Sequence, residues 1–219
     1  MKKIVIDIET IPRQGVMDTW FPGWAQQKGH EDGDAWHLAA LYPEFGRTCC
    51  VVLTEYDSRT DMPLQSKTFA QVLARNTDEA EKDLLEAMEA AAYNLSADQD
   101  ISLIGHNLKG FDIPFLAKRF MALGLQVPDF LRVSGKKPWE ITHQDTMELL
   151  KFGSFSPMSL RSAALMLGIE DPKESVSGAQ VADLYEAGEL DKIETYCRGD
   201  VSTTYQIYQK LEQSGALNG

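Results

Sequence analysis

The stretch Lys2-Lys3-Ile4-Val5-Ile6-Asp7-Ile8-Glu9 is an apolar, β-branched run carrying two carboxylates two positions apart. Side chains alternate faces along a strand, so a strand over residues 4–8 turns Asp7 and Glu9 to the same side. Two acids side by side at the end of a buried strand repel each other and resist desolvation. A cation between them relieves both costs. Hard divalent ions with oxygen ligands, Mg²⁺ or Mn²⁺, fit that donor set. The question for the rest of the chain is whether it supplies further ligands.

The length of 219 residues suits one domain with a sizeable core and also allows two small ones. A hydrophobic fraction of 43% and a charged fraction of 25% place the chain among ordinary soluble globular proteins. No apolar run reaches the length of a membrane span. A strand pattern that begins at once is not a signal peptide. Cys49, Cys50 and Cys197 are odd in number and two are adjacent, which suits a reducing cytoplasm. No Cys/His spacing resembles a zinc site. The formal net charge of −12 argues against a basic nucleic-acid binder. It does not argue against an enzyme that meets phosphates through bound metals, because such a centre is itself built from carboxylates. Most of the acidic surplus reads as solvated surface.

Outward from the first strand, residues 47–56 form a second β-branched run and residues 65–69 a short third. A helix starts at Thr77, with Asp78, Glu79 and Glu81 suited to its first turn. Leu84, Leu85, Met88 and Ala91 then follow at helical spacing. Residues 101–105 read as a buried strand. A helix begins at Asp112, with Pro114 in its first turn. Residues 141–144 read as a short strand, and Ser159 caps a helix that runs to Leu167 and closes at Gly168. Residues 177–187 and 190–211 form two final helices, divided near Gly188. Consecutive strands at the start predict an antiparallel meander, and the later strand–helix alternation predicts parallel strands. The expected architecture is α/β, a mixed sheet flanked by α-helices. Residues 12–46 stand apart as an insertion with local helices, rich in Gly and Pro and carrying Trp20, Trp24 and Trp36.

Two further segments offer carboxylates. In Ile104-Gly105-His106-Asn107-Leu108-Lys109-Gly110-Phe111-Asp112 a strand ends in a glycine-containing turn, and Asp112 opens a helix. A plain helix cap explains Asp112 equally well, and a turn residue explains Asn107. In Tyr196-Cys197-Arg198-Gly199-Asp200 the tyrosine and the aspartate are i and i+4 on one helix face. Gly199 costs that helix about 1 kcal/mol relative to Ala and removes bulk beside Asp200.

Each piece occurs by chance in many chains, but their order and residue types together resemble the DEDD group of 3′–5′ exonucleases in the ribonuclease H-like superfamily. Asp7-Ile8-Glu9 matches the first motif, Asn107-x-x-x-Phe111-Asp112 the second and Tyr196-x-x-x-Asp200 the third. The Tyr-x-x-x-Asp form marks the DEDDy branch; the DEDDh branch places a histidine where Thr195 stands. The pattern most resembles the proofreading exonuclease domain of family B DNA polymerases, here without a polymerase. It extends from Ile4 to about Leu211, with the least match over residues 12–46. The stretch Ser159-Leu160-x-x-x-Ala164-x-x-Leu167-Gly168 also resembles that family. On this reading residues 1–219 form a single 3′–5′ exonuclease domain with a ribonuclease H-like fold.

The resemblance implies two divalent ions, Mg²⁺ or Mn²⁺, about 3.5–4 Å apart. Asp7 would bridge both, Glu9 and Asp200 would hold the water-activating ion, and Asp112 the other through ordered water. Tyr196 would position the nucleophilic water, since a phenol of ordinary pKa near 10 is a poor base at neutral pH. Thr10 would meet the terminal 3′-hydroxyl, Phe111 the terminal sugar or base, and Asn107 the adjacent strand. The product would be a nucleoside 5′-monophosphate, and the polymer would be nucleic acid from its 3′ end, with single-stranded DNA expected over RNA. No residue declares a 2′-hydroxyl contact that would decide the polymer. Replication or repair proteins are the expected partners, with a cytoplasmic location.

His106 and His143 read as structural, and Asp145 as a turn or cap residue. Lys109, Lys118, Arg119, Lys136, Lys137 and Arg198 are candidate phosphate contacts, with solvated surface as the default for each. The tryptophans at 12–46 either stack on single-stranded bases or form a small satellite core, the second being favoured. The competing functional reading is a nucleic-acid-binding module of a replication or repair complex with little catalysis; five matched residues count against it. A nucleotide enzyme with a phosphate loop is disfavoured because no Gly-rich phosphate motif is present.

Overall fold

The computed structural model describes residues 3–17, 19, 21–28, 35–56, 63–96, 101–170 and 178–217, and its strands form one five-stranded mixed sheet in the order β3-β2-β1-β4-β5. Strand β1 (Lys3–Pro12) is followed by the short helices α1 (Gln14–Met17), α2 (Phe21–Lys28) and α3 (Ala35–Ala39). Strands β2 (Gly46–Tyr56) and β3 (Pro63–Val72) lead to the long helix α4 (Asp78–Ser96). Then come β4 (Leu103–Gly105), α5 (Asp112–Ala122), β5 (Gln144–Asp145), α6 (Thr146–Lys151), α7 (Leu160–Met166), α8 (Val181–Glu186) and α9 (Leu190–Gln213).

The first three strands pair antiparallel as the expected meander, and β4 and β5 add in parallel on the other side of β1. This leaves β1 in the centre, with Ile4, Val5 and Ile6 buried. Every residue of β2 is buried. Such a strand is covered on both faces and reads as a continuous apolar run. Helices α4 and α9 both pack against it. From α4 come Leu84, Leu85, Met88 and Ala92; from α9 come Ile193, Cys197, Val201 and Tyr205, the last stacked on Tyr56 with ring centroids 3.6 Å apart. Thr77 starts α4 by accepting the Ala80 N–H at 3.2 Å, and Ser159 starts α7 by accepting the Ser162 N–H at 3.2 Å.

Several expectations shift. The strand placed at 141–144 is only Gln144–Asp145, and α6 follows at once. A six-residue helix is too short to show a period of its own. The segment expected as a helix over 177–187 is a 3₁₀ turn at Gly178–Gln180 followed by α8, and Ser177 lies outside the described residues. Within residues 12–46, Phe21, Ala25, Ala39 and Phe45 form a small apolar cluster on which Val16, Trp24 and Tyr42 pack. Trp24 lies 4.5 Å from Tyr42 and 5.1 Å from Phe45 between ring centroids. The satellite-core reading therefore describes Trp24, while Trp20 and the Trp36 side chain lie outside the described residues.

Candidate active site

Strand alternation delivers Asp7 and Glu9 to one side of β1, and helix α9 crosses that side. The register of β1 against β2 slips between Glu9 and Thr10, so that Glu9 faces Cys50 while Thr10 faces Thr48. A bulge of this kind re-aims side chains locally, and here it falls directly after the acidic pair. Thr10 itself is buried. Carboxylate oxygens of Asp7 and Glu9 and the Sγ of Cys197 all lie within 4.8 Å of one another. The Cys197 thiol contacts Asp7 directly, donating to Oδ2 at 3.3 Å and to the backbone carbonyl at 3.4 Å. Burial, then Cys50 and Asp7 beside it, push the Cys197 thiol well above its ordinary range. Sequence reasoning did not pick out Cys197; its position between Tyr196 and Asp200 was the available signal.

Asp112, Asp200 and Tyr196 lie within reach of one another's charge or of the acidic pair's. Asp112 is 4% exposed and its carboxyl is pushed up to about 7, first by burial and then by Asp145 and Asp200, against the lowering effect of backbone N–H groups at its own residue and at Ile8. Helix α5 thus opens against β1, next to Asp200 of α9. Tyr196 is raised above its ordinary value by burial and then by Glu9, Asp200 and Asp7. Its hydroxyl faces Gly178 in the turn before α8. Asp7, Glu9, Asp112, Tyr196 and Asp200 are therefore gathered in one place by three separate segments.

The loop before Asp112 is shaped by Asn107 and Asp145. Asn107 takes a left-handed φ of 61°, a conformation asparagine tolerates better than most residues. A Cβ at Gly110 would collide with Asn107 Oδ1, so a larger residue there would displace the Asn107 side chain. Asp145, 1% exposed, accepts the N–H of Asn107 at 3.0 Å and of Lys109 at 2.9 Å. It also caps α6 by accepting the N–H groups of Met147 and Glu148. The expected cap role thus extends to fixing the motif-bearing loop. Phe111 is half-buried at the start of α5, its ring centroid 5.4 Å from that of Phe115.

His106 contacts Thr146 Oγ1 and the Met158 carbonyl, both at 2.9 Å. His143 accepts the Leu103 N–H on Nδ1 and so presents Nε2–H to the Phe130 carbonyl at 2.7 Å. Both are wired into the scaffold. Among the candidate phosphate contacts, Lys118, Lys136 and Lys137 are exposed, Lys109 pairs with Glu148 and Arg198 with Glu194. Arg119 is a correction: it is 1% exposed and clamps Glu81 with two hydrogen bonds of 2.9 and 2.6 Å. Its position on the inner face of α5, not its charge, decides its surroundings.

A family model described as a predicted 3′–5′ exonuclease related to the exonuclease domain of PolB matches residues 44–218. That span contains Asp112, Tyr196 and Asp200 but not Asp7 or Glu9, whose grouping with them rests on the geometry above. No curated protein matches by sequence. Among solved structures, E. coli exonuclease I in complex with a dT13 oligonucleotide aligns with a TM-score of 0.52 at 11% identity, over 98% of this chain and 41% of that one. Another exonuclease I structure, whose description concerns how processivity is achieved, aligns with a TM-score of 0.51 at 12% identity, over 97% and 41%. The chain spans about two fifths of the length of these neighbours. At such identities the likeness concerns the fold, and it bears out the mixed, ribonuclease H-like sheet with flanking helices.

Proposed function

The chain belongs to the family of predicted 3′–5′ exonucleases related to the exonuclease domain of PolB, and from that premise we propose that it removes nucleoside 5′-monophosphates from the 3′ end of single-stranded DNA. The observation that carries this reading is the gathering of four carboxylates and one tyrosine from β1, α5 and α9. Acid crowded on acid in a buried setting is costly without cations, and an all-oxygen set from Asp7, Glu9, Asp112 and Asp200 fits Mg²⁺ or Mn²⁺. Asp7, Glu9 and Asp200 would hold one ion, and Asp7 and Asp112 the second. Two such ions supply an activated water and charge stabilisation on the attacked and leaving oxygens.

The remaining work falls to the protein's own groups. Tyr196, held in its neutral phenol form, orients the attacking water through its hydroxyl. Thr10, buried beyond the bulge, meets the terminal 3′-hydroxyl, and Phe111 packs against the last sugar or base. Asn107, fixed by Asp145, supports the strand behind it. The 12–46 segment is an insertion in this single domain. Among the described residues no helix is long and apolar enough to cross a membrane. Three buried free thiols fit a cytoplasmic protein, and replication or repair assemblies are the partners that suit a 3′-end trimming activity.

The test is digestion of a labelled single strand with Mg²⁺ or Mn²⁺, run beside RNA and duplex DNA. Mononucleotide release that stops with a chelator and with Asp7→Ala supports the reading. Release that survives both overturns it.

A further inference from the structure

Two phenylalanines lie where a folded protein gains nothing from them. Phe155 is fully exposed and Phe152 is 74% exposed, both between α6 and α7. Phe152 is also held at φ 44° and ψ 41°, the left-handed region that a bulky side chain adopts at a cost, with Gly153 following at φ 82°. Strain kept at an exposed aromatic calls for a use outside the fold.

Both ends of this segment are tied to the candidate active site. At its start, α6 grows from Asp145, the residue that also grips the amides of Asn107 and Lys109. At its far end, the Met158 carbonyl is 2.9 Å from His106 Nε2, one residue before Asn107. The rings therefore stand on a loop fastened at both feet to the turn that carries the second motif. The charge around them is unusual for this chain. Residues 149–169 contain no Asp or Glu, the longest such run in a sequence of net charge −12, and they include Lys151 and Arg161. This stretch carries no acid of its own to repel a polyanion.

Resting on the exonuclease reading, we propose that the 152–158 loop is a stacking platform for single-stranded nucleic acid, with Phe152 and Phe155 taking unpaired bases upstream of the scissile end. Aromatic rings bind bases of any identity because every base has a π-face, whereas a paired duplex hides those faces. The platform thus favours single strands without reading sequence.

The experiment measures binding of a labelled oligothymidylate of about ten nucleotides, within the ordinary site size of single-strand grooves, by fluorescence anisotropy in an Asp7→Ala background that does not cut it. Phe152→Ala and Phe155→Ala are each expected to weaken binding about tenfold, and Phe155→Trp to restore it. In the cutting enzyme the same alanine variants raise KM for the ten-mer more than they lower kcat, and the defect shrinks on a dinucleotide too short to reach the loop. Unchanged affinity for the ten-mer overturns the proposal. So does an equal loss on ten-mer and dinucleotide, or an alanine variant whose only effect is to dissolve a dimer in sedimentation, which assigns the patch to a second copy of the chain. A wild-type protein that binds the ten-mer through these rings but never shortens it breaks the exonuclease reading and leaves the platform standing.

Discussion

Glu81 and Asp112 are both buried carboxylates in the first turn of a helix, 0% and 4% exposed, yet their surroundings have opposite sign. Glu81 is clamped by Arg119, approached by Arg47 Nε at 3.3 Å and given the Thr48 N–H at 2.9 Å. Arg47 is in turn held by Asn76 and Asp78, and Arg119 by the Pro43 carbonyl. That cluster ties α4 and α5 to β2 and carries its own compensation. Asp112 instead faces Asp145 and Asp200, and its carboxyl is pushed up by burial and by them. The lesson is that burial of an acid says little about its task. An acid bracketed by arginines is compensated within the scaffold, whereas the crowding of Asp112 by other acids is a cost that a cation would relieve.

This contrast yields tests of decreasing size. Asp7→Ala should lower strand degradation about a thousandfold or more, since metal-held charge stabilisation amounts to several kcal/mol, while the melting temperature in chelator stays near wild type. A variant that unfolds instead would put Asp7 on the scaffold side of the comparison. Glu81→Ala takes from the buried Arg119 the carboxylate that clamps it and from Arg47 one of its two, and should cost about 3–5 kcal/mol of stability in urea denaturation. Asp112→Asn, made at the same kind of helix position, should abolish degradation but melt no lower than wild type in chelator. If both variants were equally destabilised, the distinction between the two sites would fail. Tyr196→Phe keeps the ring and removes the hydroxyl. We expect kcat to fall about 10–100-fold, the loss of one hydrogen bond to a charged group, with oligonucleotide affinity retained.

The smallest effect concerns pH. Burial, with help from Lys109 and Lys136, lowers the His143 pKa against the raising effect of the Phe130 carbonyl. The folded state thus holds this proton less tightly than the unfolded chain. Its contribution is intact above the unfolded value of about 6.5 and is lost as pH falls from there through the lowered folded value. Wild type should lose stability across that window, and His143→Gln should lose less of it, as read from urea midpoints at a series of pH values.

Much of the candidate site was legible because its signals are local. A two-residue period put Asp7 and Glu9 on one side of a strand, and a four-residue spacing put Tyr196 and Asp200 on one face of a helix. The meander and the parallel additions followed from the order of periods along the chain. What escaped the sequence depended on neighbours far along it. Helix α6 was missed because six residues carry no readable period, although Asp145 is a strong cap. Arg119 looked like a surface cation until the inner face of α5 met Glu81, 38 residues earlier. Cys197 had no visible role until α9 brought its thiol to Asp7, 190 residues away.

The sequence by itself determined which side chains share a face, because backbone geometry repeats over two or four residues whatever surrounds it. It also set the residue types available for each chemistry. Only the tertiary structure decided which charges meet opposite charges and which meet their own kind. That outcome depends on the packing of whole elements, which bring residues distant in sequence to short range in a poorly screened interior, where their fields add to what the local backbone supplies.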